Sequence, residues 1–408
     1  MAIKYLRLNT LKNKTVLLRA DVNVPLDEKT GKVADDFRIE SIIPTIKLLQ
    51  QGNNRIILVG HLGRPEGREK KFSLKPVAEK LADLLQYKFL ETHHPLPDYP
   101  IRHLIFYTGN IEADTHTQQL KRGSAKDIIF LENIRFYKGE EKSDRHLAKK
   151  LAQLADVYVN DAFSVDHHPA SSVSLMPEFL PAYAGPQLEQ EIKHLSSLLG
   201  KVKSPFVIMM GGIKISDKIH TLENLGKRAD KILLGGGLAN LIFKAKGLEV
   251  GLSKVEDSAL KTAWQLEKNF KGKLVLPVDV VVANKKMDKN SIRVCSPYEV
   301  TRNEQMLDIG PKTILLFANE IKAAKTIVWN GPMGHFEVPP FHTGTLSLAR
   351  LIGGRGKGFA YTVAGGGETE DAIRLAHQFN NIDHVSTGGG AMLEFLAGKK
   401  LPGIEALR

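Results

Sequence analysis

Cysteine is nearly missing: Cys295 is the only one in 408 residues, so no intramolecular disulfide can form, and a reducing compartment is the natural setting. Long apolar runs are missing as well. None approaches the ~20 residues that a bilayer-spanning helix needs, so a membrane is not among the expected partners. The N-terminal stretch MAIKYLRLNTLKNKT carries charge throughout and has no apolar core, so it does not read as a signal peptide. A cytoplasmic location is the expectation. No tandem repeat or low-complexity tract stands out. The excess of 57 basic over 45 acidic residues favours anionic partners, yet no Lys/Arg block of the kind found in nucleic-acid-binding arms occurs. Nucleic acid is therefore not an expected partner, whereas small phosphates are. The common single nucleotide fingerprints are absent too. No G-x-x-x-x-G-K-[ST] exists, and GGRGKG (353–358) lacks the spacing of a dinucleotide loop.

What the chain does contain is alternation. Short aliphatic runs recur, each closed by Gly, Asn, Asp or His: TVLLRADVN (15–23), RIILVGH (55–61), DIIFLEN (127–133) and DVYVND (156–161) in the first half. The second half has PFVIMMGG (205–212), KILLGGG (231–237), LVLPVDVVVA (274–283), TIVWNG (326–331), FAYTVAGGG (359–367) and HVSTGGG (384–390). Near-continuous apolar strands imply burial on both faces, as in a parallel sheet covered by helices. Amphipathic stretches such as SLKPVAEKLADLLQ (73–86) and DRHLAKKLAQLA (144–155) supply those helices. The class is α/β, and the length calls for two domains. GPQLEQEIKHLSSLLGKVKSP (185–205) breaks the alternation with one long helical pattern, which predicts a connector.

Ligands of open parallel sheets sit beyond the C-terminal ends of the strands. The two halves end their strands differently. In the second, glycine clusters follow five strands: Gly211–Gly212, Gly235–Gly237, Gly331 with Gly334, Gly365–Gly367 and Gly388–Gly390. Glycine permits close backbone approach, and exposed N–H groups at helix starts favour phosphate. One such turn is often only a tight connection; five in one half predict a nucleotide site built from several loops. The first half instead gathers Arg19, Asp21, Asn23, Arg38, His61, Arg64, Arg135, His167 and His168. Guanidinium groups bind carboxylate or phosphate through paired hydrogen bonds, so this set predicts a small polyanion. Adjacent histidines without a carboxylate or thiolate set do not suggest a metal there. Together the halves describe a phosphotransferase.

The same residues lie in ordered stretches: RADVNVPL (19–26), GHLGRP (60–65), LENIRF (131–136), NDAF (160–163), GGIKISDKI (211–219), NGPMGHFE (330–337), AGGGET (364–369) and STGGGAMLEFLAGKKLPG (386–403). Over essentially its full length the chain resembles the phosphoglycerate kinase family. The resemblance implies two Rossmann-like parallel-sheet domains joined by a hinge helix, with the C-terminal segment returning to the N-terminal domain. The implied boundaries are 1–184, 185–200 for the helix, 201–387, and 388–408 for the returning segment. Asp21, Asn23, Arg38, His61, Arg64, Arg135 and His168 would hold 3-phosphoglycerate. Lys214, Lys218, Gly236, Gly237, Asn330, Glu337, Gly366, Gly367, Glu368 and Thr369 would hold ATP or ADP, with Glu368 toward Mg²⁺. Arg38, Lys214 and the helix start at Gly388 would compensate charge during transfer. The family also implies a monomer.

Three departures stand out. His168 occupies the place of a family arginine, with Ala170 at the family's second histidine position and Asp166 lowering the local charge further. Glu368 replaces the usual Asp, and Ile213 replaces a small residue beside Lys214. They open a rival reading, a phosphoglycerate kinase-like binding protein with weak or altered activity, although Arg38, Arg64, Lys214 and Lys218 are retained. Histidine loses its charge near neutral pH, where arginine does not. The Michaelis constant for 3-phosphoglycerate is therefore expected to rise from mildly acidic to mildly basic pH. A flat profile, measured at saturating ATP, counts against a phosphate-binding His168.

Overall fold

The computed structural model describes residues 2–8, 10–93, 102–113, 120, 124–214, 216 and 218–408. They form two compact units: Met1–Lys193 with Lys400–Arg408, and His194–Lys399. No helix among the described residues is long and apolar enough to cross a membrane.

The first unit is laid down as β1 (Thr15–Ala20), α1 (Phe37–Gln51), β2 (Arg55–Val59), α2 (Lys75–Leu85), β3 (Lys88–Thr92), β4 (His103–Tyr107), β5 (Ile128–Leu131), α3 (Arg145–Ala152), β6 (Val157–Asp161), β7 (Ala182–Ala184) and α4 (Pro186–Leu199). The seven strands pair in the order β3-β4-β5-β2-β1-β6-β7, all parallel. β1 is an interior strand, with Arg19 level with Val59 of β2 and Asn160 of β6. Every residue of β1 is buried, Arg19 included, although it interrupts the aliphatic run. Ile39, Ile42, Ile46 and Leu49 of α1 recur at helical spacing and close one face, and Val77, Ala78, Leu81 and Ala82 of α2 extend it. β3 and β4 were not anticipated from the sequence.

Asp161, the last residue of β6, joins three elements. Its carboxylate accepts from Thr45 Oγ1 of α1 and from Leu188 N–H at 2.9 Å, inside the first turn of α4. Burial raises its pKa to about 6 against these hydrogen bonds.

The second unit continues with β8 (Phe206–Met210), α5 (Ile219–Gly226), β9 (Lys231–Leu234), α6 (Gly236–Ala245), α7 (Leu260–Asn269), β10 (Leu274–Val275), β11 (Val280–Asn284), β12 (Arg293–Cys295), β13 (Glu304–Ile309), α8 (Pro311–Ala323), β14 (Thr326–Asn330), α9 (Thr343–Arg355), β15 (Tyr361–Gly365), α10 (Gly367–Leu375), β16 (His384–Ser386) and α11 (Gly389–Leu396). Six strands form a parallel sheet in the order β10-β9-β8-β14-β15-β16. LVLPVDVVVA is not one strand. It ends in this sheet at Val275, and after Pro277 it resumes at Val280 in a separate antiparallel sheet, β12-β11-β13. Proline supplies no N–H for a ladder, so the break falls there.

The returning segment is shorter than the sequence suggested. Residues 388–399 stay with the second unit, because Ala391, Met392, Leu393 and Leu396 of α11 are buried there, with Thr221 Oγ1 and Asn224 Nδ2 of α5 each donating to α11 carbonyls at 2.7 Å. Only Lys400–Arg408, carrying α12 (Pro402–Ala406), belongs to the first unit. The change between units on the connector falls within α4, at Lys193/His194.

Asp161 has a folded pKa above its unfolded value, so its contribution is fully present below about pH 4 and lost as pH rises through about 6. Thr45→Val removes one donor from this carboxylate. The expected cost is on the order of 1–3 kcal/mol, larger at pH 8 than at pH 5, because the charged form needs the donor most. Denaturant unfolding at both pH values checks this.

Candidate functional site

The predicted polyanion residues of the first unit come largely from the C-terminal edge of its central strands. Asp21 and Asn23 follow β1, His61 follows β2, and Arg135 follows β5. Arg38 lies in the first turn of α1 and donates through Nη1 to both oxygens of Asp21, at 3.0 and 3.3 Å. Asn23 Oδ1 accepts from Gly63 N–H at 2.8 Å, and Arg135 Nη1 donates to Gly63 O at 2.6 Å. One peptide segment after β2 is thus gripped from both sides. Asn133 reinforces it, donating through Nδ2 to Leu62 O at 2.8 Å and Phe72 O at 2.9 Å.

Arg19 plays a different part from the one its company in the sequence suggested. It is buried, donating to Ser172 Oγ at 2.9 Å and Ala20 O at 2.7 Å, and its Nη2 lies 3.3 Å from His61 Nδ1. Ser172 passes the contact on to the buried Glu140 at 2.6 Å. Arginine has no acceptor, so His61 Nδ1 must accept, and the ring proton sits on Nε2 as a donor. Burial first, then the charges of Arg19, Arg135 and Arg38, holds the His61 pKa well below the usual histidine value. His61 is therefore a neutral hydrogen-bond donor, not a cation. Burial also pushes Arg135 down, aided by Arg19 and Arg64 and opposed by Glu141. Arg64 is exposed on the loop after β2, and His168 is exposed with its ring against that of His167, centroids 3.9 Å apart.

In the second unit, the loops after β8, β9 and β14 meet around a cavity of 280 Å³. Gly212, Ile213, Gly236, Gly237, Pro332, Met333, Glu337 and Glu368 line it; of the expected nucleotide residues, Gly236, Gly237, Glu337 and Glu368 are in this lining, whereas Lys214, Lys218, Asn330, Gly366, Gly367 and Thr369 are not. Lys218 begins α5, and its Nζ lies 3.5 Å from where a Cβ on Gly212 would stand; Glu368 Oε2 is 3.7 Å from the same point. Lys214 and Ile213 are exposed, and Ile213 lines the cavity. Ile215 and Asp217 of the same motif lie outside the described residues.

Several glycines serve the loops themselves. A Cβ on Gly331, whose φ is +87°, would fall 2.4 Å from Gly211 O; one on Gly237 would fall 2.9 Å from Ile213 Cα; one on Gly389 would fall 2.9 Å from Gly366 Cα. Asn330 and Thr369 brace the same loops, Asn330 Nδ2 donating to Gly365 O at 2.6 Å and Thr369 Oγ1 accepting from Gly331 N–H at 2.7 Å. Gly367 differs: it opens α10 with nothing within 4 Å of an added Cβ. Gly388 caps α11.

The cavity also has a wall that sequence reasoning missed. Asn240, Lys254, Met287, Gln305 and Asp308 reach it from α6, the segment after it and the antiparallel sheet. Asp308 accepts from Gly344 N–H at 2.7 Å and Ile309 N–H at 2.9 Å, and burial raises it to about 7. Its signal was a carboxylate closing the otherwise apolar run MLDI before Gly-Pro.

A polar, guanidinium-rich strand edge in one unit and a glycine-walled cavity in the other accompany a match to the family model of phosphoglycerate kinase over residues 6–399. The chain belongs to the phosphoglycerate kinase family. It is 40% identical over 411 residues to the phosphoglycerate kinase of Pelotomaculum thermopropionicum, covering 100% of this chain and 99% of that one. It is 43% identical over 402 residues to that of Syntrophobacter fumaroxidans, covering 97% and 96%. Among solved structures, phosphoglycerate kinase from Coxiella burnetii matches with a TM-score of 0.81 at 36% identity, over 100% of this chain and 99% of that one. As a phosphoglycerate kinase family member the chain is an ATP-dependent kinase.

Loop-packing and ligand-facing glycines should separate experimentally. Gly331→Ala is expected to cost at least about 2 kcal/mol, from positive φ and backbone overlap together. Gly367→Ala is expected to stay within about 0.5 kcal/mol in unfolding while weakening nucleotide binding in titration calorimetry.

Proposed function

We propose that the chain transfers the γ-phosphoryl group of ATP, reversibly, to the carboxylate of 3-phosphoglycerate, giving 1,3-bisphosphoglycerate and ADP. The observation that carries this reading is the division of chemistry between the units, within a family match that spans both. Asp21, Asn23, Arg38, His61, Arg64, Arg135 and His168 hold the acceptor. Asp21 fixes Arg38 in place, and His61 offers a neutral donor where another cation would crowd three arginines. Lys218, Gly236, Gly237, Asn330, Glu337, Gly366, Gly367, Glu368 and Thr369 hold the nucleotide, Asn330 and Thr369 by bracing the loops and Glu337 from the cavity rim.

Among the described residues no three His, Cys, Asp or Glu side chains gather as a metal-binding group. Glu368, an exposed carboxylate in the cavity lining, suits Mg²⁺, which keeps its waters and takes one or two carboxylates plus substrate phosphates. Glu368 would hold it, and the ion would neutralise charge on the phosphoryl oxygens. The acceptor carboxylate is already ionised at neutral pH, so no general base is required. Arg38, Lys214 and the helix start at Gly388 offset the charge of two meeting anions, which is the main work of such a transfer. We place the enzyme in the cytoplasm as a monomer, following the family resemblance and the single, buried cysteine.

Turnover of ATP plus 3-phosphoglycerate with Mg²⁺ is read through a coupled dehydrogenase that consumes the acyl phosphate. Lys214→Ala is expected to lower kcat at least about 100-fold, as for loss of one charge-stabilising group. Glu368→Asp is expected to shift the Mg²⁺ dependence with a smaller change in kcat. Wild-type protein that binds nucleotide but shows no turnover would replace the kinase by a binding protein.

A further inference from the structure

Asp166 has no part in the roles assigned above, yet its surroundings are unusual. The side chain is fully buried just after the short turn Phe163–Val165 that follows β6. Oδ1 accepts from Asn160 Nδ2 at 2.7 Å, while Oδ2, enclosed as well, has no hydrogen-bond partner among the described residues. Its backbone joins two segments: the N–H donates to Phe163 O at 3.1 Å, and the carbonyl accepts from Gly403 N–H at 3.0 Å in α12. A Cβ on Gly403 would stand 2.0 Å from Asp166 Oδ1, so the carboxyl fills the space against the C-terminal segment. His168 is two residues further on.

We propose that Asp166 is a positioning residue for the acceptor: its enclosed carboxyl locks the 163–168 loop onto the C-terminal segment and so fixes where His168 meets the acceptor phosphate. The proposal rests on the acceptor reading given above. Orphaned buried polar atoms are rare, and by keeping its proton this carboxyl avoids the larger cost of an unpaired buried charge. Burial raises Asp166 to about 7, opposed by Asn160 and the charge of Arg19 and aided by Asp161. The titratable and charged groups that face it are Arg19 from β1 and Tyr158 and Asp161 from β6; α12 offers backbone. Below pH 7 the neutral carboxyl stays packed. Above it, an anion with one unpaired oxygen draws in water and loosens both segments, so acceptor binding weakens as pH rises.

The test compares wild type, Asp166→Asn, Asp166→Ala and His168→Arg. His168→Arg carries no group at that position that titrates between pH 7 and 8.5, so a rise in its Michaelis constant for 3-phosphoglycerate in that window isolates Asp166. Wild type and His168→Arg are expected to rise at least about threefold in that window as the competent fraction falls. Asp166→Asn should stay flat, and Asp166→Ala should be weak at every pH, with the constant for ATP unmoved. Equal rises in wild type and Asp166→Asn overturn the proposal. Amide exchange of residues 164–168 and 403–407, relative to the rest of the first unit, reads the lock without turnover. It should quicken from pH 6 to 8.5 in wild type and not in Asp166→Asn. No such difference overturns the lock itself, whereas an intact lock without turnover counts only against the kinase reading.

Discussion

A parallel sheet buried on both faces leaves only the ends of its strands for chemistry. Both units accept this constraint, and the placement of reactive groups follows from it. In the first, Asp21, Asn23, His61 and Arg135 all lie just past strand ends, on β1, β2 and β5, which are neighbours in the sheet. Charges crowded there need support from behind. Arg19 gives it from inside β1, its guanidinium shared among Ser172, a carbonyl and His61. A buried arginine is tolerable only with such partners, and the Ser172–Glu140 pair completes them. The consequence reaches the site, because this arginine sets the tautomer of His61 and adds to the burial that keeps it neutral.

The second unit meets the same constraint with backbone in place of charge. Its strand-end loops carry so little side chain that they pack directly on one another, Gly331 on Gly211 and Gly389 on Gly366. Asn330 and Thr369 then stitch neighbouring loops together. Over this packed backbone the exposed positions, Gly367 and Glu368, are presented.

The α/β class and the glycine loops were legible because burial on both faces leaves a continuous apolar signature and because glycine is required where backbones touch. Other parts were not. Pro277 ends one strand and precedes another in a different sheet, and hydropathy alone cannot distinguish these from one long run. The extent of the returning segment depends on which unit buries Met392 and Leu396, a tertiary choice that local pattern does not encode. Arg19 resembled Arg38, Arg64 and Arg135 in type; its burial inside β1, with Ser172 and His61 as partners, is what sets it apart from them. The polar wall of the cavity, from Asn240 to Asp308, is assembled from segments far apart in sequence and carries no motif.

The membership of Lys400–Arg408 makes the first unit discontinuous, with the whole of the second inserted into it. During synthesis the ribosome therefore delivers every residue of the second unit before the last piece of the first. Gly403, Ile404 and Leu407 must reach a seat that has waited for about two hundred residues of translation, which at 5–20 residues per second is a delay of roughly ten to forty seconds. Throughout that interval the nascent first unit lacks the segment that carries Ile404 and Leu407, so the apolar face that α12 later covers stays open.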